Sequence, residues 1–328
     1  MFNYDVLCIG SATLDNFLVV EADLSKIKLG DKVLVAHQEV HSGGGGTNSA
    51  ASFSKLGLKV KLLTKIGNDL AAEMVLKELK SYNFKIIKTA RSRKPTDSST
   101  ILSSAKNKDR IIYVHKGASG DLALSDLKKS DLKANWIYLA SLTGKSLKTG
   151  KEIVAYAKSK KIKLLFNPSL YLASLGKSRL KPFLDAATVL ILNKEEAQAL
   201  VNSHRSRSVG NFHKPVEHLL MKLQEMGPST VIITDGAKKL SAINNGIIYS
   251  LIPPKVKTVE TAGAGDAFTS GFLAGVIKRY TFEDSLRLGQ VNALSVIQHI
   301  GTKNKLLTER EARQLMNKFK IKINAQAL

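Results

Sequence analysis

The sequence predicts an α/β fold in three layers, with a mostly parallel central sheet between two layers of helices and a small β lid. Short runs of Val, Ile and Leu alternate with helix-length segments along most of the chain, and such runs are typical of strands buried on both faces. The repeated strand–helix–strand order implies right-handed crossovers, which produce parallel strands. Two segments without a crossover helix interrupt this alternation and predict the lid.

Each element is assigned from its length and apolar period. The predicted strands are Tyr4–Gly10, Val60–Ile66, Trp136–Ala140, Ile162–Phe166, Val189–Leu192 and Thr230–Thr234. The predicted helices are Thr47–Leu56, Leu70–Tyr82, Gly150–Lys160, Lys194–Val201, Val216–Glu225, Ala267–Arg279, Phe282–Ile300 and Thr308–Phe319. The last three follow one another, so we expect the C-terminal third of the chain to be helical.

The lid is predicted from two stretches of alternating, β-branched residues, approximately residues 17–41 and 84–116. We expect hairpins that stand away from the main sheet. The polar, basic segment His204–Lys214 is predicted to be a surface loop. Because there is no internal repeat or low-complexity linker, residues 1–328 are predicted to form a single domain.

The composition excludes several classes of protein. The chain has 328 residues, 44% of them hydrophobic and 23% charged, which is ordinary for a globular protein. Its longest apolar runs have the length of a strand, far short of the ~20 residues of a membrane helix. The N-terminus lacks a basic signal-peptide region, and the single cysteine, Cys8, excludes an internal disulfide. We therefore expect a cytoplasmic protein with no membrane partner.

The formal net charge of +23 permits binding of nucleic acid or of an anionic substrate. The lysines, however, are spread over nearly every segment, without a long basic block or a basic stripe interleaved with aromatic residues. This distribution favours a generally cationic surface, and no nucleic-acid partner is expected.

Two glycine-rich segments each precede a predicted helix. In Ser42–Asn48, four glycines let the backbone approach a ligand closely and permit positive φ, and Thr47 or Asn48 can cap the following helix. The alternative is a flexible turn. The segment matches neither the Walker A motif nor the dinucleotide-binding fingerprint.

The second glycine-rich segment, Glu260–Phe268, runs into a long apolar helix. Its N–H groups and the helix dipole can hold an anion such as a phosphate. Asp266 beside that position can take a proton from an attacking hydroxyl. The alternative is that Asp266 is a helix N-cap.

Two further segments follow predicted strands. Asn193 ends a strand, where open α/β sheets bind ligands, and Glu196 three residues later can hold a water-ligated Mg²⁺. A capping box formed by the same two residues is the alternative. Asp15 follows the first strand and can accept hydrogen bonds from a pair of substrate hydroxyls, although in isolation it is only a loop aspartate.

In this order, the four segments resemble the ribokinase-like, or PfkB, family of carbohydrate and nucleoside kinases. The resemblance extends from Tyr4 to about Leu315. Gly43–Asn48 is similar to the family's N-terminal signature and Glu260–Asp266 to its C-terminal signature, DTxGAGD. Asn193–Glu196 matches its NxxE motif.

The resemblance implies a ribokinase-like fold and a set of site residues. The catalytic residues would be Asp266, as the base, with Gly263, Ala264 and Gly265. ATP would contact Asn193, Thr234, Gly236, Ala264, Gly265 and Asn292. The acceptor would contact Asp15, Gly43, Gly44 and Asn48, and Glu196 would hold Mg²⁺.

The chain departs from the family pattern at two informative places. Glu260 replaces the Asp that opens the C-terminal signature. In ribokinases that Asp helps to bind an activating monovalent cation, so the resemblance does not establish a monovalent-cation site in this chain. Ala140 and Ser141 stand where ribokinases place a glutamate against ribose, so ribose is not established as the acceptor.

The resemblance predicts an ATP- and Mg²⁺-dependent kinase that phosphorylates a hydroxymethyl group of a sugar. One alternative is a nucleoside kinase, and another is a phosphosugar kinase, in which Arg110 or His115 near the lid helps to bind an anion. A non-catalytic ligand-binding homologue is a third alternative, and the intact Asp266, Asn193 and Glu196 argue against it. The lid is a common dimer surface in the family, which implies a homodimer.

Overall fold

The computed structural model describes residues 2–106, 109–202 and 215–328. The predicted surface loop His204–Lys214 lies outside these ranges. The described residues form fourteen strands, arranged in a ten-stranded and a four-stranded sheet, and ten α-helices.

The strands and helices are numbered separately in chain order. The strands are β1 (Val6–Ile9), β2 (Thr13–Val20), β3 (His37–Gly43), β4 (Val60–Leu63), β5 (Lys85–Ile86), β6 (Asp97–Ser104), β7 (Arg110–His115), β8 (Trp136–Leu139), β9 (Lys163–Phe166), β10 (Val189–Asn193), β11 (Thr230–Thr234), β12 (Leu240–Asn244), β13 (Ile247–Leu251) and β14 (Asn324–Ala327). The helices are α1 (Gly45–Lys55), α2 (Leu70–Leu79), α3 (Gly144–Ser159), α4 (Leu170–Ala173), α5 (Gly176–Ala186), α6 (Lys194–Asn202), α7 (Val216–Gln224), α8 (Ala264–Ile277), α9 (Phe282–Val296) and α10 (Glu309–Phe319).

The larger sheet has the order β14-β13-β12-β11-β10-β9-β8-β1-β4-β5. Its strands are parallel from β5 to β11, and β12, β13 and β14 extend it in antiparallel pairs. Parallel pairing requires each crossover to return the chain to the same end of the sheet. The carboxyl ends of the parallel strands therefore lie along one edge.

Strand β1 shows why this sheet is buried on both faces. Val6 and Cys8 point into the core formed with helices α1, α2, α8, α9 and α10. Leu7 and Ile9 point into the opposite core, formed with α3, α4, α5, α6 and α7. Side chains alternate between the faces of a strand, so a strand that is apolar at every position packs against both helical layers. The predicted three-layer fold is confirmed.

The four-stranded sheet, which we call the lid sheet, has the order β3-β2-β6-β7. Strands β2 and β6 pair in parallel, and β3 and β7 flank them in antiparallel pairs. Residues Lys85–Ile86, predicted to belong to the lid, instead pair with β4 at the edge of the larger sheet. Phe84 and Ile86 pack against the main core there, so burial of apolar surface draws this strand away from the lid.

Several elements lie outside the sequence prediction. The hairpin of β12 and β13, strand β14, and helices α4 and α5 were not assigned from the sequence. Helix α3 begins at Gly144, six residues before the predicted start at Gly150. In the described ranges, no helix is long and apolar enough to cross a membrane.

Candidate active site

A cavity of about 800 Å³ opens at the carboxyl ends of the parallel strands, beneath the lid sheet. Residues from all four sequence motifs line it. The predicted site residues on its wall are Asp15, Gly44, Asn48, Asn193, Glu196, Thr234, Gly263, Gly265 and Asp266. We call the part beside β2 and α1 the lid side, and the part beside β10 and β11 the far side.

Asp15 projects into the lid side from β2 and is buried. The hydroxyls of Thr13 and Ser99 both donate to its Oδ1, at 2.8 and 2.6 Å. Gly43 leaves the space that Oδ2 fills, since a Cβ there would lie 1.7 Å from that oxygen. The carboxylate is therefore held in one orientation.

The glycine run lets α1 begin directly against β1. Gly44 is the N-cap of α1, with φ 95°, and a Cβ there would lie 2.5 Å from the carbonyl oxygen of Ser11. The expectation that Thr47 or Asn48 caps this helix is wrong, because the helix starts at Gly45 and both side chains lie inside it. This early start places Asn48 one turn into α1, facing the cavity.

Asp266 lies in the first turn of α8 and accepts a hydrogen bond from Nδ2 of Asn48 at 2.8 Å. Its other oxygen lies 3.5 Å from the hydroxyl of the buried Tyr138. Burial raises the pKa of Asp266 above its ordinary value. The alternative of a helix N-cap is wrong, because Gly263, with φ 82°, takes the N-cap position of α8.

A buried lysine, which the sequence did not suggest, lies behind these residues. The ammonium group of Lys303 contacts the carbonyl oxygen of Ser42, Oδ1 of Asn48 at 3.4 Å and a carboxylate oxygen of Glu78 at 3.3 Å. Burial lowers the pKa of Lys303, and the charges of Glu78 and Asp266 oppose that shift. Lys303 therefore places an ammonium group on the closed side of Asn48, next to the carboxylate of Glu78.

On the far side, Asn193 and Glu196 form the capping box that was one of the sequence alternatives. The amide of Asn193 donates to Glu196 Oε2 at 2.8 Å, and the amide of Glu196 donates to Asn193 Oδ1 at 2.9 Å. Burial raises the pKa of Glu196 to about 7. Thr234 pairs directly with Asn193 across β10 and β11. The capping box and a ligand-facing position therefore occur together.

Four predicted residues lie off the cavity wall. Gly43 supports Asp15, Ala264 begins α8, and Gly236 lies in an open turn with φ 56°. Asn292, expected to contact the nucleotide, is fully buried. Its amide donates to Ser52 Oγ and to the carbonyl oxygen of Ala267, so it joins α1, α8 and α9 instead. That expectation is wrong, because protein groups bond both ends of the amide.

The remaining polar wall was missed by the sequence analysis, because isolated Ser, Thr and Asn residues carry no motif. These residues are Ser11, Thr13, Ser99, Ser119, Thr143, Asn167, Ser169 and Thr269, together with Lys116. Across the described ranges, no group of three or more His, Cys, Asp or Glu side chains could hold a metal ion. Glu196 is instead a single, partly desolvated carboxylate.

The cavity combines three features that matter for phosphoryl transfer. A helix N-terminus that can hold an anion carries a carboxylate whose pKa is raised, and a hydroxyl-rich wall faces it across one cavity. These are the parts of a phosphotransferase that acts on an alcohol group.

The comparisons identify the family. Residues 3–309 match the model of the pfkB family carbohydrate kinases, and the chain belongs to this family. It is 25% identical over 319 residues to a ribokinase from Bacillus subtilis, covering 95% of this chain and 99% of that protein. It is 24% identical over 310 residues to an ATP-dependent 6-phosphofructokinase from Thermoanaerobacterium thermosaccharolyticum, covering 91% and 89%.

The fold is also found in solved structures of ribokinases. The crystal structure of a ribokinase from Cryptococcus neoformans var. grubii serotype A in complex with ADP superposes with a TM-score of 0.78, at 22% identity, over 95% of this chain and 99% of that one. The predicted ribokinase-like fold and the predicted family are confirmed.

Proposed function

We propose that this protein is an ATP- and Mg²⁺-dependent sugar kinase that transfers the γ-phosphoryl group to a hydroxymethyl group, with Asp266 as the catalytic base. The main support for this proposal is the position of Asp266 at the N-terminus of α8, where it accepts a hydrogen bond from Asn48 on the lid side. Its charge also acts on Glu196 on the far side. Asp266 thus lies where an acceptor and a nucleotide in one cavity would meet.

In this proposal each residue has a limited task. Asp15 accepts hydrogen bonds from acceptor hydroxyls, and Asn48 orients Asp266. The hydroxymethyl oxygen attacks the γ-phosphorus, its proton passes to Asp266, and the bond from the γ-phosphorus to the bridging oxygen breaks to release ADP. The first N–H groups of α8 lack acceptors within the helix and face the charge that develops on the phosphoryl oxygens.

The nucleotide would lie on the far side, with its phosphates toward α8. Asn193, Thr234 and the backbone of Gly265 line this path. Gly236 follows Thr234 in an open turn, so a nucleotide can approach its backbone without a side chain in the way. Phosphoryl transfer depends mainly on positioning and on charge neutralisation, which these groups can supply.

Glu196 fits a divalent cation. Mg²⁺ is usually bound through one or two carboxylates together with substrate phosphates and waters, so the lack of a larger carboxylate cluster in the described ranges agrees with this mode. A desolvated carboxylate with a pKa raised to about 7 gains from a nearby cation. When bound, Mg²⁺ would neutralise phosphate charge.

Glu196→Gln tests the metal role with little structural disturbance. Gln can also complete a capping box, so the helix start is retained while the carboxylate charge is lost. We expect the Mg²⁺ concentration for half-maximal activity to rise by roughly 10- to 100-fold. The exposed neighbour Glu195→Gln is the matched control and should leave it unchanged. An unchanged Mg²⁺ requirement in Glu196→Gln would restrict Glu196 to capping.

The polar wall favours a sugar over a nucleoside. The lid side carries hydroxyls from Ser99, Ser119, Ser141 and Thr143, which can bond several hydroxyls of a sugar. The apolar side chains of Ile101, Ile112 and Val114 line the cavity beside them, and they could pack against a nucleobase, so a nucleoside stays the alternative. A panel of pentoses, hexoses, their phosphates and nucleosides, assayed for ADP release, tests this choice directly.

A phosphosugar acceptor is the second candidate. Lys116 lines the cavity beside Ser119, with its ammonium group 3.7 Å from the buried carboxylate of Asp97. Its side chain is half exposed, so it can turn toward an anionic acceptor. The similarity to a 6-phosphofructokinase supports including sugar phosphates in the panel.

Asp15→Ala tests the acceptor position. A hydrogen bond to a charged group contributes about 1.5–3 kcal/mol, so the acceptor KM should rise roughly 10- to 150-fold if it follows affinity. The KM for ATP should change little, because Asp15 lies on the lid side. Asp31→Ala, an exposed residue away from the cavity, is the control. Equal increases in both KM values, or no increase, would refute this placement.

The lid sheet also supports a proposed homodimer. Strand β7 is exposed along its length and forms one edge of the sheet. Ile112 and Val114 line the cavity, whereas the alternate residues Ile111 and Tyr113 point away from it and are exposed. A second lid could cover that outer apolar face, and the molecular mass in solution measured by light scattering tests this proposal.

A further inference from the structure

An ion pair joins the lid sheet to the turn that precedes the catalytic helix. Arg110, the first residue of β7, places Nη1 2.5 Å from Oε1 of Glu260. Glu260 is nearly fully buried, with 7% of its side chain exposed, and Arg110 is about one-third exposed. The two residues are 150 positions apart in the chain, so only the tertiary structure brings them together.

The carboxylate of Glu260 also fixes its own turn. Its Oε1 accepts hydrogen bonds from the backbone amides of Thr261 and Ala262, at 2.7 and 2.9 Å. These two residues immediately precede Gly263, the N-cap of α8. The orientation of the Glu260 carboxylate therefore determines the path of the backbone into the N-terminus of α8.

A second lid strand contacts the same carboxylate. Ser103 on β6 lies directly opposite Arg110 in the antiparallel pair. Its hydroxyl is 3.4 Å from Oε2 of Glu260. One point of the lid sheet, made by a cross-strand pair, thus rests on one carboxylate of the turn.

This arrangement does not fit a monovalent cation at Glu260. In ribokinases, the Asp at this place in the signature helps to bind such a cation. Here the Glu260 carboxylate is already neutralised by the guanidinium of Arg110, and its oxygens accept from two backbone amides and from Ser103. A second cation would have to displace a charge-assisted hydrogen bond.

We infer that Arg110 is a positioning residue that supplies the cationic partner of Glu260 from the lid, and that the turn before α8 is therefore ordered by lid contact and not by a monovalent cation. The inference rests on the proposed kinase function. Because the lid sheet lies over the cavity, this contact ties the geometry of the α8 N-terminus to the position of the lid.

The test compares Arg110→Met and Arg110→Lys with the wild-type enzyme, using the acceptor found by the panel. Each protein is assayed in KCl and in choline chloride at equal ionic strength. Backbone hydrogen–deuterium exchange of the peptide covering residues 260–266 is measured in parallel, without acceptor or ATP. Arg91→Met, which removes an arginine paired with Glu73 outside the cavity, is the matched control.

We expect wild-type kcat to be equal in the two salts. Arg110→Met should lower kcat by roughly tenfold, the usual effect of losing a hydrogen bond between charged groups. It should also speed exchange in residues 260–266, and Arg110→Lys should restore part of both. The control should match the wild type.

Three results would overturn the inference. One is activation of the wild-type enzyme by K⁺. Another is unchanged exchange in Arg110→Met. The third is a higher acceptor KM with unchanged kcat in Arg110→Met, which would show that Arg110 affects acceptor binding by the lid and not the turn before α8. The exchange measurement needs no turnover. It therefore tests whether Arg110 orders the turn before α8 even if no acceptor in the panel is phosphorylated.

Discussion

Asp266→Asn is expected to lower kcat by about 10²–10⁴-fold, the usual effect of removing a general base. Asn has nearly the same shape and can still accept the hydrogen bond from Asn48, so the fold and the substrate sites should be kept. It cannot take up the proton of the attacking hydroxyl. Steady-state kinetics with the acceptor found by the panel measure the loss.

Two further readouts separate this role from a structural one. Because burial raises the pKa of Asp266, wild-type kcat should fall as the pH drops through that raised value. The raised pKa also means that the charged carboxylate destabilises the folded state, with a cost that grows as the pH rises through that range. Asp266→Asn removes this cost, so its melting temperature should not fall.

Asp284 provides a matched control for the position in a helix. It occupies the third residue of α9, as Asp266 does in α8, and its carboxylate pairs with Arg287 at the surface. Asp284→Asn should leave kcat unchanged. Near-wild-type turnover in Asp266→Asn would contradict the proposed base.

The central sheet was predictable because its physical signal is local. Runs such as Val6–Ile9 and Val189–Leu192 are apolar without interruption, and parallel strands covered on both faces require this. The glycine turns were predictable for a similar reason. Gly44 and Gly263 both have positive φ, and a Cβ at either position would lie 2.5 Å from a backbone carbonyl oxygen, of Ser11 or of Thr302, so glycine is favoured there.

Other elements were not predicted, or were assigned to the wrong sheet, although the sequence carries a local signal for a strand. The β12–β13 hairpin turns at Asn245-Gly246, both with positive φ, and Asn-Gly between two β-branched runs is a strong hairpin signal. Lys85–Ile86 was placed in the lid because β-propensity does not say which sheet a strand joins. That choice depends on which core covers Phe84 and Ile86.

The site was predictable in its motifs but not in its connections. The signatures indicated Asp266, Asn48 and Glu196, and the structure brings all three to one cavity. The groups that hold these residues were not indicated. Tyr138 reads as an ordinary strand residue, and Arg110, expected only as a possible partner of an anionic acceptor, instead pairs with Glu260 before the catalytic helix. Their contacts join segments more than a hundred residues apart, so no local pattern contains them.

Lys303→Met is expected to lower the free energy of unfolding by about 3 kcal/mol, the lower end for removing one partner of a buried ion pair. Lys303 is 2% exposed, but its partner Glu78 is 32% exposed, so water recovers part of the loss. The variant leaves the Glu78 carboxylate, the carbonyl of Ser42 and Oδ1 of Asn48 without the ammonium group. Urea denaturation measures the change.

The same variant should also change catalysis. The positive charge of Lys303 lowers the pKa of Asp266, so its removal should move the acidic limb of the pH dependence of kcat to higher pH. Lys303→Met combined with Glu78→Met should recover part of the lost stability, because an apolar pair can replace a buried ion pair, but the backbone amide of Ser42 then loses the Glu78 carboxylate as its acceptor. The double variant should keep the shifted pH dependence, since the cation near Asp266 is still missing.

Lys278→Met distinguishes the burial of the lysine from the ion pair itself. Lys278 pairs with Glu309 at 2.6 Å. The exposed fraction of Glu309, 33%, is close to the 32% of Glu78, but Lys278 is 21% exposed whereas Lys303 is 2% exposed. Pairs with this access to water contribute at most about 1 kcal/mol, so Lys278→Met should have a small effect and leave the pH dependence unchanged. Equal losses of stability in Lys303→Met and Lys278→Met would show that Lys303 has no special role behind Asn48 and Asp266.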